Sequence, residues 1–541
     1  MGRVIGIFLD GYDVGLEREM RAAGELPALT ALAARSARFS LDHGLARNTG
    51  LAGEHVASGL SPEDCERYAA VHFDPARYTV CQVGATTRPF LSDLQARTVV
   101  FDMPYLDLAA APDVRGIASW GAHDPGVPPT FRPAGLARDF DTAIGPYPAS
   151  DWIYGYAWPS LQSTEAMGSS LAAATDLRTV AIRWLLDRLP DWELALVGVS
   201  EPHSAIEGLW HGIDPDHPLR SVPSARAAGE GLREVYRAVD RLIGALVADH
   251  PDSSFIVFSI HGMGSNRSDV ASMLLLPELM YRQAFGRSLF RQPPQWQLAN
   301  GRPCMPITTK GWNTDVSLRF PWWRPALWRT TLSARAPWRA RGLVERLVAQ
   351  DVEAPPSASR GNIDWMPATA YRPYWHRMPT FALPSFYDGR IRVNLVGREG
   401  LGMVQPADYD RTLDETETLL RECIDRESGE PIVETVIHTA SKDAMRLAPT
   451  AADLTVIWRR ATQAIRHPRL GDIGPVPYRR SGGHSGPEGM AYVCGAGVAP
   501  GDFGRRSSFD VVPTLIQLLG ASFEGRVSGG SLLGPVLDRA A

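Results

Sequence analysis

The chain has 541 residues, 44% of them hydrophobic and 21% charged, which is enough apolar surface for a large buried core and excludes disorder as its main state. Lys plus Arg total 55 against 60 Asp plus Glu, a formal net charge of -5, so no global basic field recommends a nucleic acid duplex or an anionic membrane as partner. The 5 cysteines (Cys65, Cys81, Cys304, Cys423, Cys494) are odd in number and scattered without CxxC spacing, which points to neither a disulfide framework nor a thiolate zinc centre.

In chain order, Val4 to Leu9 is a continuously apolar run ending at Asp10-Gly11, the pattern of a buried parallel strand that delivers a carboxylate to a sheet edge. It starts too near the first residue to leave room for a signal peptide, and no long uncharged apolar run follows. A cytoplasmic protein with no membrane span is therefore expected, acting on a small molecule. A helix is predicted through Leu26 to Ala37, and helical patterns recur at Leu177 to Leu189 and Gly229 to Ala248. Between them lie strand-like runs at Leu194 to Val199 and Phe255 to Phe258. That alternation predicts an α/β fold, a mostly parallel central sheet with helices on both faces and ligands beyond the carboxyl ends of the strands. From residue 277 to 384 Pro and Trp become frequent, as in Pro321-Trp322-Trp323-Arg324-Pro325, and the segment reads as an inserted cap over the site. Its individual tryptophans read equally as core packing. The core is thus expected in two parts, 1–276 and 385–541, closing with a helix after Asp510.

Five segments hold the side chains a metal-assisted phosphoryl enzyme needs. Asp10 ends the first strand, where it could ligate a metal or cap a helix. Thr49 precedes a run of small residues and could present a hydroxyl to a metal, or serve only as an N-cap. His203, Glu207 and His211 follow the strand ending at Val199 with i, i+4, i+8 spacing, which on one helix puts three donors on a shared face. His261 follows the next strand in Ser259-Ile260-His261-Gly262-Met263, and His484 stands in Gly482-Gly483-His484-Ser485-Gly486 before the strand-like Met490 to Val493.

The order of these segments resembles the alkaline phosphatase superfamily, and within it the type I phosphodiesterase and nucleotide pyrophosphatase group. Asp10-Gly11 matches the family's opening ligand, Leu26-Pro27-Ala28-Leu29 its Leu-Pro-x-Leu, and Thr49 with Gly59 and Pro62 its nucleophile spacing. Glu201 to Glu207 resembles its Glu-Pro-Asp-x-x-Gly-His, Ser259 to Met263 its Ser-Asp-His-Gly-Met, and Gly482 to His484 its late Gly-x-His. The resemblance implies a metal-dependent hydrolase of phosphate diesters or pyrophosphates, with Thr49 as nucleophile and divalent metal, zinc, held by Asp10, Thr49, His203, Glu207, His261 and His484. By the same resemblance Asn394 or Arg398 would face a small phosphoester substrate. Three departures matter: His203 stands at a family Asp, Glu207 at a family His, and Ile260 where Asp is expected. Ile260 cannot ligate, so one ion is expected to bind tightly and a second weakly. His211, Asp214, Asp216 and His217 could substitute for the missing ligand. A phosphoryl transferase and a degenerate, non-catalytic phosphate binder stay open as alternatives. Oligomeric state is not readable from the sequence.

Overall fold

The structure, a computed structural model, describes residues 2–123, 128–153, 160–291, 312–317, 319–321, 360–361, 363–439 and 443–534. Its centre is a nine-stranded sheet. In chain order the strands are β1 (Val4–Leu9), β2 (Ala37–Asp42), β3 (Thr98–Phe101), β4 (Arg115–Ala118), β5 (Thr130–Arg132), β6 (Leu194–Val199), β7 (Ser254–Ser259), β8 (Gly489–Cys494) and β9 (Gly501–Ser507). Across the sheet they run β9-β2-β8-β7-β1-β6-β3-β4-β5. β1 pairs in parallel with β6 and β7, Val4 opposite both Leu194 and Ser254, and β3 continues the parallel array on β6. Only β5 and β8 run against the others; β8 lies antiparallel between β2 and β7. The predicted mostly parallel α/β sheet is what forms. Its central strands are apolar without alternation because both faces are covered.

Among the helices are α1 (Val14–Ala22), α2 (Pro27–Ala34), α3 (Ala52–Ser58), α4 (Leu161–Arg188), α5 (Glu201–Leu209), α6 (Ala225–Asp249) and α7 (Val511–Leu519). The helix predicted through Ala37 stops at Ala34, because residues 37–42 are taken by β2. α4 begins well before the predicted Leu177, capped by the Ser160 hydroxyl accepting from the Ser163 amide. On α6, Leu232, Val235, Val239, Leu242, Ile243 and Leu246 are fully buried along one stripe. Each such burial stabilises by about 1.5–3 kcal/mol, which outweighs the roughly 1 kcal/mol propensity cost of a glycine in the same helix. Gly231 is needed for contact: a Cβ at Gly168 of α4 would lie 2.7 Å from the Gly231 Cα.

A second layer of structure is built on a four-stranded antiparallel sheet ordered Thr380–Leu383, Gly389–Val393, Leu454–Trp458, Val433–His438. It has its own apolar cluster, into which Tyr281, Trp312, Tyr371 and Trp375 are buried. The described tryptophans of 277–384 are thus packing groups, while Trp322 to Arg324 and Cys304 lie outside the described residues. Cys65, Cys423 and Cys494 carry free thiols. Among the described residues no helix is long and apolar enough to cross a membrane.

Candidate functional site

The carboxyl ends of β1, β6 and β7 bring Asp10, the start of α5 and His261 to one edge of the sheet. Gly11 adopts a φ of +64°, and a Cβ there would lie 2.4 Å from the Met263 sulfur, so the turn after Asp10 packs directly on the His261 loop. His484 arrives from the far end of the chain. A short ladder pairs Gly264 with Gly483 and Ser265 with Gly482, and a Cβ on Gly482 would sit 2.1 Å from the Ile206 carbonyl of α5. The glycines of that loop let its backbone lie against both α5 and the His261 loop.

Three histidines share one hydrogen-bonding logic. His203 Nδ1 lies 3.0 Å from Asp10 Oδ2, His261 Nδ1 lies 3.0 Å from the Gly262 carbonyl, and His484 Nδ1 lies 3.3 Å from the Arg47 carbonyl. Each partner oxygen accepts, so each ring donates through Nδ1–H and turns its Nε2 toward the cluster. Burial pushes the His484 imidazole well below its ordinary pKa and lowers that of His261, so both are neutral at pH 7. The His203 and His484 Nε2 atoms then face each other at 3.3 Å, and Glu207 Oε1 lies 3.5 Å from the first. Nε2 of His261 is buried with no hydrogen-bond partner. Imidazole nitrogens and a carboxylate come together here, a donor set that suits a cation.

His123, in the loop after β4, adds a ligand that sequence reasoning missed. Its ring stacks on His203 at 3.9 Å, and donor atoms of His123, His203 and Glu207 all lie within 4.8 Å of one another. A donor set of imidazole nitrogens and one carboxylate suits zinc. The residues therefore fit one divalent ion at His123, His203 and Glu207, with His484 adjacent. Asp10 and His261 do not belong to that group of His and carboxylate donors among the described residues. Asp10 instead orients His203, the carboxylate–imidazole pairing found behind many metal ligands.

The remaining expected residues separate. Thr49 is buried directly after the turn Gly44–Asn48, its hydroxyl donating to the Ala46 carbonyl at 2.7 Å and accepting from the Leu51 amide at 3.2 Å. Its neighbours touch the cluster: Arg47 offers its carbonyl to His484, and a Cβ at Gly50 would lie 3.0 Å from Tyr387, whose ring stacks on His484 at 3.7 Å. The shared face expected for His203, Glu207 and His211 is incorrect for the third. α5 ends at Leu209, and His211, in a following tight turn, pairs its Nε2 with the Ser224 hydroxyl at 3.3 Å. His217 is engaged at both ring nitrogens, by the Ser481 carbonyl and the Leu219 amide, and Asp214 accepts from Ser265, while Asp216 is exposed; none stands in for a ligand. Asn394 bonds Tyr78 and the Trp375 carbonyl, and Arg398 pairs with Asp453 at 2.7 Å and with Glu399, so both are committed to the second layer. Ile260 lies in an apolar cluster with Phe8, Val56 and Phe258.

Two buried charge networks hold the site. Arg178 of α4 is completely buried between Asp102 at 2.6 Å and Glu201 at 2.8 Å. Asp102 also accepts from the Trp120 and Gly121 amides, at 2.6 and 2.8 Å, anchoring the loop that carries His123, while Glu201 begins α5. Arg480 pairs with both Glu207 and Asp269, so a guanidinium already neutralises the Glu207 carboxylate. A third feature is a buried chain in which Ser508 meets His43 at 2.6 Å and His43 meets His55 at 2.9 Å.

No family model matches the sequence, and no curated protein matches it. Solved structures do. Phosphonoacetate hydrolase from Sinorhizobium meliloti 1021 in complex with phosphonoformate is similar at 13% identity and a TM-score of 0.43, over 96% of each chain. Human ectonucleotide pyrophosphatase/phosphodiesterase 5 is similar at 10% identity and a TM-score of 0.43, over 99% of each chain. Alkaline phosphatase PafA is similar at 12% identity and a TM-score of 0.49, covering 98% of this chain and 99% of its own. Each of these likenesses spans nearly the whole length of the chain.

Proposed function

We propose that the chain is a metal-dependent hydrolase of phosphate diesters or pyrophosphates, with Thr49 as nucleophile and one zinc ion held by His123, His203 and Glu207 beside His484. The observation that carries this reading is the close approach of His123, His203 and Glu207, whose donor atoms lie within 4.8 Å of one another, with the His484 Nε2 3.3 Å from that of His203. Bound there, a divalent ion would supply positive charge to the phosphoryl oxygens during transfer. The chain's own residues do the rest. Thr49 Oγ attacks phosphorus, the bond to the departing ester or phosphate oxygen breaks, and the phosphothreonine formed is hydrolysed by water, restoring the hydroxyl. Asp10 keeps His203 in the tautomer that presents Nε2, and Tyr387 lies over His484 and Gly50 to wall the site from solvent.

The Arg480–Glu207 ion pair favours a second reading, in which the chain binds a phosphorylated ligand without turnover. One experiment separates the two: turnover of bis(p-nitrophenyl) phosphate by chelator-stripped protein, before and after zinc addition, for wild type and Thr49→Ala. Zinc-dependent turnover that falls by orders of magnitude in Thr49→Ala supports the hydrolase. Equal turnover in the variant excludes Thr49, and none in either with zinc bound supports the binder.

A further inference from the structure

Beside Thr49 and His484 opens a small pocket of about 40 Å³, continuous with solvent. On one side stand Arg47, Asn48 and Arg267; on the other, Tyr387 and His484 lead to Ile457 and Trp458 of the second sheet. Arg47 is two residues from Thr49 and half-buried, and Arg267 is exposed on the loop that follows the Gly264–Ser265 ladder. Neither guanidinium makes an ion pair or a hydrogen bond with any described residue. That is uncommon in this chain, where most arginines near the site are paired, as Arg178, Arg398, Arg479 and Arg480 are. Two unpaired cations facing one cavity cost electrostatic free energy unless something anionic enters it. The one carboxylate lining the cavity, Glu434, is exposed at the second-sheet side and pairs with no described cation.

We propose that this cavity receives the part of the substrate beyond the scissile phosphoryl group, and that Arg47 and Arg267 grip a second anionic group there. Preferred substrates thus carry two anionic centres, the reacting phosphoryl and a phosphate or carboxylate on the departing side. This rests on the hydrolase reading for its orientation, but not for the binding itself. Ile457 and Trp458 form the apolar side of the pocket. A planar guanidinium grips phosphate or carboxylate through paired hydrogen bonds, so each arginine is expected to be worth about tenfold in affinity, the exposed Arg267 less at high salt.

The test has a binding arm and a turnover arm. Binding of inorganic pyrophosphate and of inorganic phosphate is measured by calorimetry on wild type, Arg47→Ala, Arg267→Ala and Glu434→Gln, each checked for an unchanged melting temperature. Turnover is compared for diphenyl phosphate, with one charge, and for P1,P2-diphenyl pyrophosphate and phenyl 4-carboxyphenyl phosphate, with two. Pyrophosphate should bind at least about tenfold more weakly to each Ala variant, and more tightly to Glu434→Gln. The ratio of kcat/KM for doubly to singly charged substrates should fall by a similar factor, and the two doubly charged substrates show whether phosphate or carboxylate is preferred. Turnover with an unchanged ratio and unchanged pyrophosphate affinity in both Ala variants overturns the subsite and leaves the hydrolase standing. No turnover of anything, with arginine-dependent pyrophosphate binding, does the reverse.

Discussion

Replacing Arg178 by Met tests whether the buried network beneath the site is structural scaffolding. The guanidinium is inaccessible to solvent and bonds Asp102, Glu201 and the Gly198 carbonyl. Methionine fills much of the volume but leaves two carboxylates in an apolar interior. Asp102 keeps the Trp120 and Gly121 amides and Glu201 keeps the Tyr147 hydroxyl, so the charges are partly compensated. Breaking a buried pair of this kind costs about 3–5 kcal/mol, and that is the expected loss at pH 7. The triple variant Arg178→Met, Asp102→Asn, Glu201→Gln removes the charges together and should regain most of the loss. Urea unfolding of the three proteins at pH 7, with zinc stoichiometry after dialysis, makes the measurement. A deficit under about 1 kcal/mol in the single variant, or a triple variant no more stable than the single one, would refute the reasoning.

His123→Ala should lower zinc content after dialysis while His211→Ala leaves it unchanged; elemental analysis decides, and equal loss in both would discard the assigned ligand set. Ile260→Asp, though it restores the family's carboxylate, places a charge among Phe8, Val56 and Phe258 and should destabilise by about 2–4 kcal/mol without raising metal content. A higher metal content at unchanged stability would show that the position is a ligand site after all. Burial holds the His55 imidazole down to about 3 and that of His211 to about 4, below the unfolded value near 6.5. The folded state therefore binds fewer protons than the unfolded chain between those values, and stability present above pH 6.5 is lost as pH falls, by up to about 1.4 kcal/mol per pH unit for each group. A melting temperature that stays flat from pH 6.5 to 4.5 contradicts this.

Much of the central sheet was legible because β1, β6 and β7 are covered on both faces and so read as unbroken apolar runs ending in polar residues. The second sheet was not, because its strands are short, partly exposed and separated by long segments, as in Val433–His438 and Leu454–Trp458. Within the site, spacing found Asp10, His203, Glu207, His261 and His484, whose positions are fixed by strand ends and glycine-rich turns. It misplaced His211 because i+8 periodicity assumes a helix that in fact ends at Leu209. His123 had no local signal at all: its place is set by Asp102 and Arg178, far away in sequence. Arg178 itself could have been suspected, since a charged residue on the apolar face of a long helix needs a buried partner.

The position of β8 has a consequence for the growing chain on the ribosome. That strand separates β2 from β7, yet it is made only after residue 488, long after both neighbours. Throughout most of synthesis β2 and β7 therefore each expose an unpaired edge, with the apolar β7 the more adhesive of the two. His484 is made in the same late stretch, so neither the sheet nor the histidine cluster can close before then. A product truncated near residue 480 would hold most of the core residues and still present three open strand edges, two of β2 and one of β7. Such fragments should aggregate or be held by chaperones, whereas release of the last sixty residues completes sheet and site in one step.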